Sequence, residues 1–161
     1  NIVVDTVMIS SSGRRLLEEA ATEAYTKELL PLADVITPNI PEAELLTGIK
    51  IVNEKSRKQA MKRLAEKYPA AVLMKGGHGT ENADDWLEVQ GRVTCYPGKR
   101  ISNSNTHGTG CTLSSAIAAN LALGYPLEES VAKAKEYITG AIKAGLDLGQ
   151  GNGPLKHMWH G

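Results

Sequence analysis

Seven consecutive residues, Asn105-Thr106-His107-Gly108-Thr109-Gly110-Cys111, bring hydroxyls, an imidazole, two glycines and a thiol directly before the alanine-rich segment Thr112 to Leu123. Glycines on either side of Thr109 permit a tight turn in which several backbone N–H groups converge on one anionic oxygen cluster. A helix beginning there adds the positive end of its dipole. Cys111 then places an ionisable thiol, a proton acceptor, beside the spot where the anion would sit. Such a site suits phosphoryl transfer. Glycine clusters also cap helices and close turns without binding anything, so the two glycines alone leave both readings open.

Three further places could carry chemistry. Asp5 lies inside the β-branched run Ile2 to Met8, and a buried strand seldom keeps an acid without a partner. Asn39 and Glu42 have the spacing of a helix cap, and equally that of a polar pair before a helix. Lys75-Gly76-Gly77-His78-Gly79 ends an apolar run. A lysine there either reaches to solvent or neutralises phosphate charge. His78, His107 and His157 remain open between loop hydrogen bonding and ligand contact.

The elements that must position these residues follow from periodicity. Ile2 to Met8 predicts a strand buried on both faces. Ser10-Ser11-Ser12-Gly13 predicts a loop, and the Leu and Ala stripe from Arg14 to Leu30 predicts a helix ended by Pro31. Asp34 to Thr37 reads as a short strand, broken by Pro38-Asn39-Ile40-Pro41 before a helical turn from Glu42 to Leu46. Glu54 to Tyr68 reads as a surface helix with Pro69 as its stop. Ala71 to Met74 reads as a buried strand, and Trp86 to Val89 with Arg92 to Tyr96 as a hairpin across Gln90-Gly91. A last helix runs from Leu127 to about Leu146, before the tail Gly149-Gln150-Gly151-Asn152-Gly153-Pro154. This strand and helix order predicts an α/β fold with a mainly parallel sheet covered by helices, and ligands at strand ends.

Size and composition fit one domain: 161 residues, 42% hydrophobic, no Phe and 4% aromatic, hence an aliphatic core. Eighteen basic side chains balance eighteen acidic ones, leaving no basic field for nucleic acid or an anionic membrane. No apolar run approaches the roughly 20 residues of a membrane span. Cys95 and Cys111 form neither a metal motif nor a disulfide framework, so a reducing cytoplasm is expected. Cys95 itself is expected to be a half-buried strand residue. The start, Asn1-Ile2-Val3-Val4-Asp5, enters an apolar run with no Met, and a fragment lacking earlier elements is expected.

The block ending at Cys111 resembles the signature of the ribokinase superfamily, Asp/Asn-Thr-x-Gly-x-Gly-Asp, with Cys111 in the place of the last Asp. Thr106-His107-Gly108-Thr109-Gly110-Cys111 resembles one branch of it, the hydroxymethylpyrimidine and phosphomethylpyrimidine kinases of thiamine synthesis, together with a few related pyridoxine kinases. Thr37-Pro38-Asn39-Ile40-Pro41-Glu42-Ala43-Glu44, Lys75-Gly76-Gly77-His78 and Val3-Val4-Asp5-Thr6-Val7-Met8 are similar to motifs of that branch, in the same order. Thr6 stands where the family usually has proline, which restores an N–H. Gly153-Pro154-Leu155-Lys156-His157 resembles the family's C-terminal end.

The resemblance implies a ribokinase-like, three-layer αβα fold, with residues 1–161 forming the C-terminal ATP- and metal-binding portion of a single kinase domain. It implies ATP and Mg²⁺ as cofactors, with a monovalent cation as a further candidate. Gly108, Thr109 and Gly110 would offer N–H groups to the transferring phosphoryl and Cys111 would be the base. Lys75, Gly76, Asn39, Asp5 and Thr106 would lie at the nucleotide, and Glu42 and Asp5 at the metal. The implied partner is a small-molecule pyrimidine, with no nucleic acid and no membrane, in a homodimer. A helix N-terminus stabilises an anion by about 0.3–2 kcal/mol, and bound phosphates oppose it, so a mixed thiol and thiolate population is expected at Cys111. The closest rival is pyridoxine or pyridoxal kinase. More remote rivals are a thiol enzyme pairing Cys111 with His107 or His78, and a non-catalytic nucleotide-binding module.

Overall fold

The computed structural model describes residues 1–9, 15–77, 82–103, 108–146, 148 and 153–159. The chain divides into two compact units, Asn1–Gly98 and Lys99–Gly161. In the first unit, strands β1 (Val3–Val4), β2 (Val35–Ile36), β3 (Ala71–Met74), β4 (Asp85–Val89) and β5 (Arg92–Tyr96) form one sheet in sequence order. β1, β2 and β3 run parallel, while β3, β4 and β5 are antiparallel neighbours. The sheet is therefore mixed: its parallel character gives way at the hairpin, where only two residues separate β4 from β5. Gln90 and Gly91 both take positive φ there, 51° and 86°, the twist that a two-residue turn between right-twisted strands requires.

The parallel strands are short because their ends leave the ladder. β1 stops at Val4 rather than continuing to Met8, since the Asp5 carbonyl accepts from the Tyr25 hydroxyl at 2.7 Å and from the Val7 N–H at 2.8 Å. The helix expected from Arg14 to Leu30 begins as an α-helix only at Glu19 (α1, Glu19–Ala24). It buries no residue, so packing does not hold it regular; it widens to a π-turn over Tyr25–Leu29 and tightens to a 3₁₀ turn over Leu30–Leu32. Pro31 sits inside that last turn instead of ending the helix, at a position where its missing N–H is not needed. The expected loop at Ser10–Gly13 lies outside the described residues.

Helices α2 (Ile40–Thr47) and α3 (Glu54–Lys67) cover one face of the sheet. α2 begins two residues before Glu42, because Pro41 fits the first turn of a helix as well as it fits a break. α3 starts from Asn53, whose side chain accepts from the Ser56 N–H at 2.9 Å. Strand alternation turns Val4, Ile36, Val72 and Met74 to this face, where they join Leu30, Ala43, Ala60, Met61, Leu64 and Tyr68 in one core.

In the second unit, α4 (Thr109–Ala122) and α5 (Leu127–Ala144) pack against each other. Of the stripe Val131, Ala134, Ile138 and Ile142 expected on one face of α5, the first three are buried and Ile142 is half-buried. A Cβ at Gly140 would collide with the Trp159 ring, so this glycine lets the tail lie on α5. Cys95 is exposed rather than half-buried, because β5 is the sheet's edge strand. No helix among the described residues is long and apolar enough to cross a membrane. Leu64→Ala is expected to lower the free energy of unfolding by about 2–5 kcal/mol, since Leu64 is fully buried against β3 and α2 neighbours in the core; urea unfolding measures it, and a loss within about 0.5 kcal/mol contradicts the packing.

Candidate functional site

Residues that follow the three parallel strands build a polar cluster in the first unit. Asp5 follows β1, Thr37 follows β2 and Lys75 follows β3. The register pairs Val4 with Ile36 and Ile36 with Val72, and Asn39 bridges Lys75 in the same parallel sense. Alternation then turns Asp5, Thr37 and Lys75 to the face opposite the α2 and α3 core. Lys75 lies further along its strand and reaches back, its Nζ donating to Asp5 Oδ1 at 2.6 Å. The pair is largely enclosed, with side chains 11% and 14% exposed. Thr37 Oγ1 donates to the same oxygen at 3.2 Å. Asp5 Oδ2 is buried and has no hydrogen-bond partner among the described residues.

Glu42 joins this cluster from the first turn of α2. Asn39 caps that helix by accepting from the Glu42 N–H at 2.8 Å, and the Glu42 carboxylate returns the contact by accepting from the Asn39 N–H at 2.8 Å. Thr6 Oγ1 donates to the same carboxylate oxygen, Oε2, at 2.9 Å. Glu42 is only 2% exposed. Burial raises its pKa above the ordinary 4.5, against the lowering effects of Lys75, the Asn39 N–H and the Thr6 hydroxyl, with Asp5 adding to the rise. Burial, with Asp5 and Glu42 nearby, pushes the Tyr25 phenol up to about 12. It therefore keeps the proton it donates to the Asp5 carbonyl.

The loop after Lys75 is held by the main chain. Gly76 N–H donates to Asp85 Oδ1 at 2.7 Å, and a Cβ at Gly76 would collide with the backbone of Ala83 and Asp84. Only glycine fits that approach.

In the second unit, Gly108 is the N-cap of α4 with φ 82°, a left-handed conformation that side chains rarely adopt. The helix ladder starts with the Thr112 N–H donating to the Gly108 carbonyl at 2.9 Å. The N–H groups of Thr109, Gly110 and Cys111 lie in the first turn, ahead of that bond. Cys111 is exposed on this first turn and forms no disulfide. Thr106, His107 and His78 lie outside the described residues. His157 is exposed, beside the Tyr137 hydroxyl, which donates to its carbonyl at 3.0 Å.

The profile of a family described as phosphomethylpyrimidine kinase matches residues 1–156. The chain belongs to this family. Among its relatives, the hydroxymethylpyrimidine/phosphomethylpyrimidine kinase of Haemophilus influenzae is 48% identical over 161 residues, covering 97% of this chain and 60% of the relative. The solved phosphomethylpyrimidine kinase of Clostridium difficile 630 is 48% identical with a TM-score of 0.76, covering 87% of this chain and 56% of its own. The pyridoxal kinase of Staphylococcus aureus in complex with ADP has a TM-score of 0.88 at 33% identity, covering 98% of this chain and 58% of its own. The chain thus spans about 60% of the length of the curated kinase it matches, and it has the ribokinase-like fold of these neighbours.

For a member of the phosphomethylpyrimidine kinase family, the donor set fits a small, hard divalent cation. Two carboxylates, one with a buried oxygen lacking any partner among the described residues, are oxygen ligands of the kind that Mg²⁺ accepts together with waters and phosphates. No larger cluster of His, Cys, Asp and Glu with metal-binding geometry occurs among the described residues. Sequence reasoning singled out Asp5, Asn39, Glu42, Lys75 and Gly76, and the first unit brings these together. It missed the hydroxyl roles of Thr6, Thr37 and Tyr25. The signal for two of them was present: Thr6 directly follows Asp5, and Thr37 directly follows the apolar strand residues of β2.

Because the acid form of Glu42 is favoured in the folded chain, its stability contribution falls as pH rises from 4.5 through the raised folded value. Glu42→Gln cannot ionise, so its stability relative to the parent is expected to improve between about pH 4 and pH 8. Urea unfolding at both ends of that range checks this, and a difference that is constant or shrinks with pH contradicts it.

Proposed function

We propose that the protein transfers the γ-phosphoryl group of ATP to 4-amino-5-hydroxymethyl-2-methylpyrimidine, to its monophosphate, or to both, within thiamine diphosphate synthesis in the cytoplasm. The observation that carries this reading is the 48% identity to the Haemophilus influenzae kinase over nearly the whole chain. The pyridoxal kinase neighbour with its TM-score of 0.88 favours a second reading, phosphorylation of a pyridoxine-type ring on the same fold.

Phosphoryl transfer passes through a loose transition state, so holding the groups in line and neutralising charge matter more than a strong base. Glu42 and Asp5 would hold Mg²⁺, which when bound supplies charge neutralisation at the phosphates. Lys75, now paired with Asp5, is the cation that nucleotide phosphates would compete for. Asn39 uses only Oδ1 and its N–H in the cap, which leaves its amide Nδ2 as a donor to nucleotide. Gly76 would bring main-chain N–H close to the phosphates, with Thr106 a further contact at the nucleotide. N–H groups of Gly108, Thr109 and Gly110 would stabilise the transferring phosphoryl. Cys111 would take the proton from the attacking hydroxyl.

The test is an assay of the protein with ATP, Mg²⁺ and three acceptors: hydroxymethylpyrimidine, its monophosphate and pyridoxine. Transfer to a pyrimidine acceptor with higher kcat/KM than to pyridoxine is expected, and the reverse order overturns the reading. Cys111→Ala is expected to lower turnover by about 10²–10⁴ while leaving ATP affinity nearly unchanged. The loss should be larger with the alcohol than with the phosphate monoester, whose oxygens need little help to lose a proton. Equal losses with both acceptors rule Cys111 out as the base.

A further inference from the structure

The two carboxylates of the first unit are held in the same way, and each is held at one end only. Asp5 Oδ1 takes both of its side-chain hydrogen bonds, from Lys75 Nζ at 2.6 Å and Thr37 Oγ1 at 3.2 Å, while Oδ2 is buried without a partner among the described residues. Glu42 Oε2 takes both of its hydrogen bonds, from Thr6 Oγ1 at 2.9 Å and the Asn39 N–H at 2.8 Å. Among the described residues none falls on Oε1. A carboxylate with two donors on one oxygen cannot rotate without breaking both. Its other oxygen is thereby fixed in direction.

Both threonines are fully buried. A buried hydroxyl must find an acceptor, and a β-branched side chain has few χ1 rotamers in which to find one. Thr6 therefore has little alternative to its contact with Glu42, and the Thr37 hydroxyl lies on Asp5 Oδ1. Their hydroxyls also set the chemistry: a valine of the same shape would leave the carboxylates in place, with one donor fewer on each pinned oxygen.

We propose that Thr6 and Thr37 are positioning residues for the divalent cation, each pinning one oxygen of a carboxylate, Glu42 and Asp5 respectively, so that Oε1 and Oδ2 are aimed at the metal. This rests on the reading that the chain uses Mg²⁺ with ATP. Neither threonine touches the metal, the nucleotide or the acceptor. Groups that orient a metal ligand commonly change metal affinity by about 10–100-fold when removed.

Affinity of the protein for a non-hydrolysable ATP analogue, measured by calorimetry with Mg²⁺ and with EDTA, reads the metal-dependent part of binding without turnover. The ratio of the two affinities is the metal's contribution. Thr6→Val and Thr37→Val are each expected to lower that ratio roughly tenfold, with affinity in EDTA unchanged. Thr6→Ser and Thr37→Ser keep the hydroxyl and are expected to restore it. Should a valine variant fail to fold, the alanine variant at that position is judged by the same ratio. The proposal is overturned if the ratio is unchanged in the hydroxyl-deleted variants, if affinity falls equally with Mg²⁺ and EDTA, or if serine does not restore it. If the parent protein itself shows no Mg²⁺-dependent gain in affinity, the reading of Glu42 and Asp5 as metal ligands fails instead.

Discussion

Everything at the strand ends depends on two carboxylates enclosed beside one ammonium. Asp5 and Glu42 leave bulk water when the first unit folds, and Lys75, itself mostly enclosed, is the cation that faces them. Burial opposes the charged form of Glu42 more strongly than Lys75, Asn39 and Thr6 favour it. A buried charge group of this kind adds little to stability when complete and costs several kcal/mol when one partner is removed. An arrangement with one surplus carboxylate and one oxygen without a partner among the described residues is a poor way to stabilise a fold. It is a good way to prepare a site for a divalent cation.

The surrounding elements follow from that constraint. β1 ends at Val4 so that the Asp5 carbonyl can be held by Tyr25, and Tyr25 sits where the helix before β2 widens into a π-turn. α2 begins with a capping box whose second member is Glu42, so the cap that starts the helix also directs the carboxylate. Asn39 and Glu42 thus need not be either a cap or a site. The same two hydrogen bonds cap the helix and fix the carboxylate. In the second unit the left-handed backbone of Gly108 starts α4 without a side-chain cap.

Much of this was legible in the residues. The strand Ala71–Met74, the hairpin across Gln90-Gly91, the buried stripe of α5 and the polar residues Asp5, Asn39, Glu42 and Lys75 all follow from period, turn chemistry and motif. Less legible were features set by contacts far apart in sequence. Lys75 and Asp5 are 70 residues apart, and no local rule pairs them. Thr6 was readable as a residue that restores an N–H where relatives of the family have proline. Its hydroxyl mattered instead, through a partner 36 residues away. The irregular path from Glu19 to Leu32 escaped because its first part, α1, buries no residue and so has no packing to enforce its period. Fold likeness does not separate pyrimidine from pyridoxal kinases, since the pyridoxal kinase neighbour has the higher TM-score at the lower identity.

If Asp5, Glu42 and Lys75 form the metal and phosphate side of a kinase site, Mg²⁺ and nucleotide must meet at these three side chains. A crystal structure of the protein with Mg²⁺ and a non-hydrolysable ATP analogue tests it most directly. The metal is expected on the side of Asp5 Oδ2 and Glu42 Oε1, directly or through water, with Lys75 Nζ moved from Asp5 to a phosphate oxygen. A metal and triphosphate bound elsewhere, with the Lys75 to Asp5 pair intact, would contradict it.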